Sequence, residues 1–521
     1  MTRSPAHRSV KAPSLPTSWA RRKRPVKGRG WTIAHRALVL ALFSMLLVAP
    51  PAAAAPPHTL TLAQLHHALA HHRLSCADVI RSALERIAAL DRTGPALHAM
   101  ITVNPDAMAE ARDKDAHRDA ALPPAHCVPV VLKDNIDTAE LPTTGGSPLF
   151  ADWVPREDAT VTARLRQAGA IILGKGNLDD FAAAVYGVSS LEGAMRNPYA
   201  TERTVGGSSG GPATAVSAGY VPLAFGTDTG GSLRIPAAFT SVVTVRPTVG
   251  LVSRAGTMPR ALTQDTPGPL GRTVADVATG LQLVAGVRQP ERGYAWHARH
   301  GSLHGKRIGI VRSGLSLFGE DDPGVLALLD RAAADLRRLG ATVLFLPAPD
   351  RDLLGGSSVI TFEANRDMTG YLRAAGPDVP VRSFAELHAS GAYTPYAKEA
   401  FDREIEVGPG GLESNVDYQQ ALRNRGSLRE LTLDLMAHER LDAIGYASAM
   451  RPPELIGVEQ GGVFTRWSEN TGFPAIGVPM GYTRSLPASL ELLGRPFAEP
   501  LLFELTGAYE RHTRHRVDPF L

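Results

Sequence analysis

Between Pro123 and Leu346, short β-branched runs alternate with longer helical stretches, and this alternation restricts the chain to one broad architecture. VPVVL (Val128–Leu132), AIIL (Ala170–Leu173), VPLAF (Val221–Phe225), RIGIV (Arg307–Val311) and TVLFL (Thr342–Leu346) read as buried strands. Thr160–Ala168, Leu178–Val185 and Gly324–Leu339 read as the helices between them. Strands and helices in this order predict an α/β fold, with a central mostly parallel mixed β-sheet covered by helices. Upstream, Leu62, Leu65, Leu69, Val79, Leu84, Ile87 and Leu90 recur at helical spacing. The four histidines there (His66, His67, His71 and His72) lack acidic or cysteine companions and read as a solvated helix surface rather than a metal face. No Pro- or Ser-rich linker and no repeat interrupts the chain beyond residue 55, so one large domain is expected despite a length that allows about three.

The N-terminus differs in kind. Residues 1–55 hold ten basic residues and no acidic one, and they end in ALVLALFSMLLVA (Ala37–Ala49), Pro50, Pro51 and four alanines. A basic lead, a short apolar run and small residues predict an export signal cut near Ala53–Ala55; about 13 apolar residues are too few to span a bilayer, so no stable membrane anchor is expected. The whole chain carries 55 Lys+Arg against 51 Asp+Glu; beyond residue 55 the balance becomes 45 against 51, a formal −6. The basic surplus therefore belongs to the leader, and a nucleic-acid footprint is not expected. With 44% apolar and 20% charged residues the chain can bury a large core. Cys76 and Cys127 could pair after export, but two unpaired buried thiols are the expectation.

The chemistry concentrates in Thr204–Pro247, TVGGSSGGPATAVSAGYVPLAFGTDTGGSLRIPAAFTSVVTVRP. Two Gly-Gly-Ser clusters flank a helix and a strand, and glycine lets main-chain N–H groups approach a substrate closely. A phosphate cradle fails because no lysine follows in the required place. Gly206-Gly207-Ser208-Ser209-Gly210 matches the G-x-S-x-G nucleophile elbow, yet an elbow needs a strand before it and Asn197–Arg203 is loop-like. Flexible loops alone do not explain clusters that abut ordered apolar segments. The remaining possibility joins both clusters to Lys133 at the end of VPVVLK, where burial would leave a neutral amine able to activate a serine.

Lys133-Asp134-Asn135, GGSSGG, GTDTGGSLRIPAAF and RPTVGLVSRAG together resemble the amidase signature family, with 75 residues from Lys133 to Ser208 and 24 from Ser208 to Ser232. RIAALDRTGPALHAMITVNPDA, AGAIILGKGNLDDF, MRNPY, TQDTPGPLGRTVADVA and GFPAIGVPMGY extend the resemblance over almost all of 56–521, which is expected to be the amidase domain. The resemblance implies a metal-free, cofactor-free Ser–Ser–Lys hydrolase. Ser232 is the implied nucleophile, Ser208 (after a cis peptide from Gly207) the proton relay, and Lys133 the ultimate base. The N–H groups of Thr229, Gly230, Gly231 and Ser232 are the implied oxyanion hole, each donor typically worth about 3–4 kcal/mol. Asp228 and Arg234 are expected to brace the loop as an ion pair.

Departures from the family pattern occur at Cys127, Ser241 and Thr244, where relatives usually carry glycine, and at SLPAS (Ser485–Ser489). Arg86–Ala107 and the leader resemble bacterial peptide amidases, whereas MRNPY and GTDTGGSLRIPAA resemble amidases of aryl-acetamide substrates. The family's tRNA-amidotransferase subunit is disfavoured, since export would part it from cytosolic partners. The expected partner is a small-molecule or peptide amide, bound by a periplasmic or secreted monomer or homodimer. A serine esterase, an α/β-hydrolase-type enzyme and a catalytically weak binding protein are the alternatives. The polar, loosely helical stretch Val381–Leu431, broken at Gly408, Gly410 and Gly411, either covers the site or is a surface insertion.

Overall fold

The structure is a computed structural model; it describes residues 55–521 apart from 119–120, 287, 318 and 464–465. The expected leader lies outside the described residues. Thr61 and Ser75 start the opening helices Leu62–Ala70 and Cys76–Leu90 through capping boxes with Gln64 and Asp78, which satisfy N–H groups that the first helical turn leaves open. Both helices bury the apolar spacing read from the sequence, with Leu84 half-buried. His67, His71 and His72 face solvent and His66 is half-buried.

Eleven of the strands form one sheet. In chain order the strands are β1 Met100–Val103, β2 Pro129–Lys133, β3 Ile171–Gly176, the ribbon β4 Val188–Ser189 and β5 Gly193–Ala194, β6 Leu223–Asp228, β7 Val243–Arg246, β8 Thr266–Gly271, β9 Arg307–Val311, β10 Thr342–Leu346, β11 Ala443–Ala447, β12 Ala475–Thr483 and β13 Leu486–Leu493. The large sheet runs β1-β3-β2-β6-β8-β7-β12-β13-β11-β9-β10. Parallel pairing holds its two wings, β3-β2-β6 and β11-β9-β10, and antiparallel pairing joins them through β8, β7, β12 and β13. This is the single α/β domain with a mixed central sheet that the sequence predicts. Among the described residues no helix is long and apolar enough to cross a membrane.

Two expectations fail. Leu178–Val185 is not a helix: only Asp180–Ala182 makes a 3-10 turn, and Phe181 and Ala182 take left-handed φ of 49° and 60°. The Asp179 carboxylate instead accepts N–H groups from Tyr186 and Gly187, and Asp180 accepts that of Ser190. Aspartates that bond neighbouring main chain in this way compete with helix formation. Cys76 and Cys127, expected as free thiols, are bonded to each other, tying the start of the Cys76–Leu90 helix to the lead-in of β2. Cys127 sits at φ 57°, a conformation that explains why glycine is usual there. The Val381–Leu431 stretch resolves into Phe384–Ser390, Pro395–Val407 and the start of Val416–His438.

Candidate active site

β2 is buried along its whole length between β3 and β6, and Lys133 stands at its carboxyl end with no exposed surface. In a parallel sheet that is where loops converge on a site. Lys133 Nζ lies 2.7 Å from Ser208 Oγ and 2.8 Å from Thr227 Oγ1. Burial pushes this amine down from 10.5 to about 7, despite the opposing pull of Asp179, Asp228 and Asp265. The Asn135 amide also donates to Thr227 Oγ1, at 3.2 Å.

Ser208 follows a cis peptide from Gly207 and precedes the Gly210–Ser217 helix. Gly207 has a steric reason: a Cβ there would lie 1.8 Å from Asp179 Oδ2. The two glycine–serine clusters are stitched together by Ser209, whose N–H donates to the Ser232 carbonyl at 3.1 Å and whose hydroxyl donates to the Thr227 carbonyl at 3.1 Å. No strand precedes Ser208, and its base is a lysine, so the nucleophile elbow of the α/β-hydrolases is not what this sequence builds.

Ser232 lies in the turn between β6 and the Arg234–Phe239 helix and keeps 5% of its surface exposed. Asp228 and Arg234 pair as expected, at 3.0 Å, within a wider buried network. Arg234 reaches Glu469 at 2.7 Å and Glu491 at 2.9 Å, and Arg246 reaches Asp228 at 3.2 Å. Burial opposes the Asp228 charge, but the two guanidinium groups outweigh it and hold the carboxyl well below the usual range. That anion accepts the N–H groups of Gly231 and Leu233, at 2.9 and 3.1 Å. The Gly231 N–H is therefore taken, which corrects its place in the expected oxyanion hole. Gly231, at φ 108°, serves to turn the loop.

Thr229, Gly230 and Ser232 line a cleft of about 520 Å³, and Gly231 does not. Thr229 is positioned from behind: its hydroxyl donates to Asp265 at 2.5 Å and its carbonyl accepts the Gln264 amide at 3.0 Å. One wall comes from Tyr186 and another from Tyr396, Glu399, Ala400 and Arg403 of the Pro395–Val407 helix. The Tyr186 and Tyr396 rings stack with centroids 4.4 Å apart. The segment read as cover or insertion thus covers the site. At its base, the buried Glu404 pairs with Arg260.

Of the residues singled out in the sequence, Lys133 and Ser208 are in contact, Ser232 is tied through its carbonyl to the neighbouring Ser209, and Asp228 pairs with Arg234. Thr227, Asp179, Gln264 and Asp265 were missed. Thr227 and Asp179 stand inside recognised stretches, GTDTGG and GNLDDF, but nothing in their spacing signals a contact with Lys133 or Gly207. The glycine departures are absorbed locally. Ser241, at φ 54°, meets the Tyr482 hydroxyl at 2.9 Å, and Thr244 donates to the Pro269 carbonyl at 2.9 Å.

Comparison with known proteins agrees with the fold. The sequence model of the Amidase family matches residues 78–503. A glutamyl-tRNA(Gln) amidotransferase subunit of Symbiobacterium thermophilum is 36% identical over 490 residues, covering 88% of this chain and 97% of that protein. The native peptide amidase of Stenotrophomonas maltophilia superposes with a TM-score of 0.81 at 34% identity, covering 89% of this chain and 99% of that one. The crystal structure of the corresponding amidotransferase subunit of Thermotoga maritima gives 0.66 at 26% identity, covering 89% and 97%.

Proposed function

The chain belongs to the amidase family, and we propose that it is an exported enzyme that hydrolyses linear amides of the peptide-amide type through Lys133, Ser208 and Ser232. The observation that carries the catalytic assignment is the buried Lys133 amine 2.7 Å from Ser208 Oγ, held near neutrality by burial. A neutral amine has a lone pair for the Ser208 proton, and Ser208 can then take the proton of Ser232. Ser232 Oγ attacks the amide carbonyl, forming the C–O bond as its proton passes through Ser208 to Lys133. The developing oxyanion is met by the N–H groups of Thr229, Gly230 and Ser232, residues that line the cleft. The C–N bond breaks as the proton returns to the departing nitrogen, leaving an acyl ester on Ser232. Water attacks that ester by the same relay and releases the acid.

The peptide-amide reading is supported by the superposition on the peptide amidase, by a cleft wide enough for more than an acetamide, and by the leader. A second reading, an amidotransferase subunit, is favoured by the name of the Symbiobacterium relative. Ammonia release separates them. Under the first reading, C-terminally amidated dipeptides are cleaved faster than free glutamine, and a fluorophosphonate labels Ser232 in the wild type but not in Ser232→Ala. Glutamine turnover in preference to every amidated peptide and aryl amide would overturn it. Lys133→Ala is expected to lower kcat at least about 1,000-fold, where an esterase relying on a histidine base would keep its rate.

A further inference from the structure

A second cavity, of about 440 Å³, lies away from the catalytic cleft and shares no lining residue with it. It is walled by the turn Pro57–Thr59, the Cys76–Leu90 helix, the end of the Gly210–Ser217 helix, the link after β8, and the chain's last helix with the tail behind it. From these segments come His58, Arg86, Arg272, Arg511, Arg514 and Arg516. Two carboxylates accompany them among the lining residues, Glu510 and Asp518.

Four of the arginines are held by carbonyls more than by carboxylates, and Arg514 is exposed. Arg86 donates to the Ala218 carbonyl at 2.9 Å, and Arg272 to the carbonyls of Leu60 and Val221 at 2.7 and 3.2 Å. Arg511 donates to the carbonyls of Ala298 and Gly301. Arg516 donates through Nε to the Ser241 carbonyl at 3.1 Å and through Nη1 to Asp518 at 2.5 Å; among the described residues its buried Nη2 has no acceptor. Carbonyl anchoring fixes a guanidinium without neutralising it. Arg272 is 8% exposed and, among the described residues, no carboxylate lies within ion-pair distance of it; Asp276 and Asp518 favour its charge from further off, Arg516 opposes it, and burial outweighs them all. Glu510 contributes little compensating charge, since it is half-buried, spends its oxygens on the Val274 N–H and is pushed up to about 8 by desolvation. The lining thus carries five arginines against Glu510 and Asp518, and such an excess of partly buried cationic charge is costly unless an anion enters.

We infer that this cavity is a binding site for a tetrahedral dianion, phosphate or a small phosphate ester, held by Arg272, Arg514 and Arg516. Planar guanidinium forks brought to one cavity by the link after β8 (Arg272) and by the tail (Arg514 and Arg516) suit an acceptor with more oxygens than a carboxylate has. The volume leaves room for a small organic substituent on the phosphate. The site lies at the opposite ends of β6 and β8 from the catalytic loop: Arg272 follows β8 and Val221 precedes β6, whereas Asp228 closes β6 and Thr266 opens β8. Six extended residues separate the two ends, roughly 20 Å.

Isothermal titration of the full chain with inorganic phosphate, sulfate and glycerol 3-phosphate, at constant ionic strength set by chloride, tests this. Saturable one-site binding of phosphate is expected, weakened about tenfold in Arg514→Gln/Arg516→Gln. Asp518→Asn, which frees an edge of Arg516, is expected to tighten binding about threefold, and it keeps the test decisive if the double variant folds poorly. Tighter binding of glycerol 3-phosphate than of phosphate assigns an ester; equal binding of phosphate and sulfate assigns the free dianion. No saturable binding to the wild type, binding unchanged in both variants, or capture only by anionic phosphatidylglycerol vesicles would overturn the inference.

Discussion

Lys133 shows how a single residue can be tuned by its surroundings. Among the described residues no carboxylate touches the amine, so desolvation dominates and its affinity for a proton falls to near neutrality. Activity that needs the free amine should rise with pH through a midpoint near 7 in kcat/KM, and a pH–rate profile checks this. The same shift carries a stability sign. The native group titrates at about 7 and the unfolded one near 10.5, so between those values the unfolded chain binds the extra proton and stability climbs with pH. Lys133→Met should therefore be inactive yet more stable at pH 7, by up to a few kcal/mol in a urea melt, and that advantage should shrink towards pH 10. Thr227→Val tests the neighbour. It removes the acceptor that favours the protonated amine, so the kinetic midpoint should move to lower pH and kcat should fall about tenfold. Lys133, Ser208 and Ser232 could be singled out from the sequence because each stands in a motif. The commitment of the Gly231 N–H to Asp228 was not, because it depends on how Arg234 and Arg246 fix that carboxylate in space.

At the level of elements, legibility followed hydrophobic continuity. β9 and β10 coincide with the apolar runs read for them, and the Pro323–Arg338 helix is shifted by one residue from its expected span. β8 escaped because Pro267 and Pro269 remove ladder donors, and a central strand with two prolines contradicts its local signal. It pairs with β6 and β7 all the same, so tertiary context decided its state. Leu178–Val185 failed for the converse reason: helical spacing lost to aspartate side chains that bond nearby main chain. The Pro395–Val407 helix has a functional consequence, since it adds a wall to the cleft without touching Lys133 or Ser208. Tyr396→Ala should therefore raise KM about fivefold for an amidated peptide and leave kcat within about twofold. Steady-state kinetics on a long and a truncated amide check it, and a fall in kcat alone would mean that the helix positions the catalytic loop instead.

For the whole molecule, the informative feature is the bond between Cys76 and Cys127, because its existence depends on where the protein folds. It closes a loop of 51 residues that includes β1, and loop-closure entropy sets its worth at about 4 kcal/mol. The bond is also remote from the chemistry along β2: it joins the first long helix to the beginning of that strand, whereas Lys133 ends it. Reduction should accordingly destabilise the protein while leaving kcat at 25 °C within about twofold. Replacing the pair also separates the bond from the backbone. Because Cys127 takes a left-handed φ, Cys76→Ala/Cys127→Gly should be about 1 kcal/mol more stable than Cys76→Ala/Cys127→Ala. Export makes the further demand that the bond form outside the reducing cytosol. Produced with residues 1–55 in a bacterium with an oxidising periplasm, the protein should be recovered there, cut near Ala53–Ala55, with no thiol reactive to a maleimide under denaturing conditions. Produced without the leader in the cytosol, it should show two reactive thiols and unfold at lower urea. Retention of full-length chain in the cytosol in the first case would refute export, and the melt comparison would then stand alone as a measure of the disulfide.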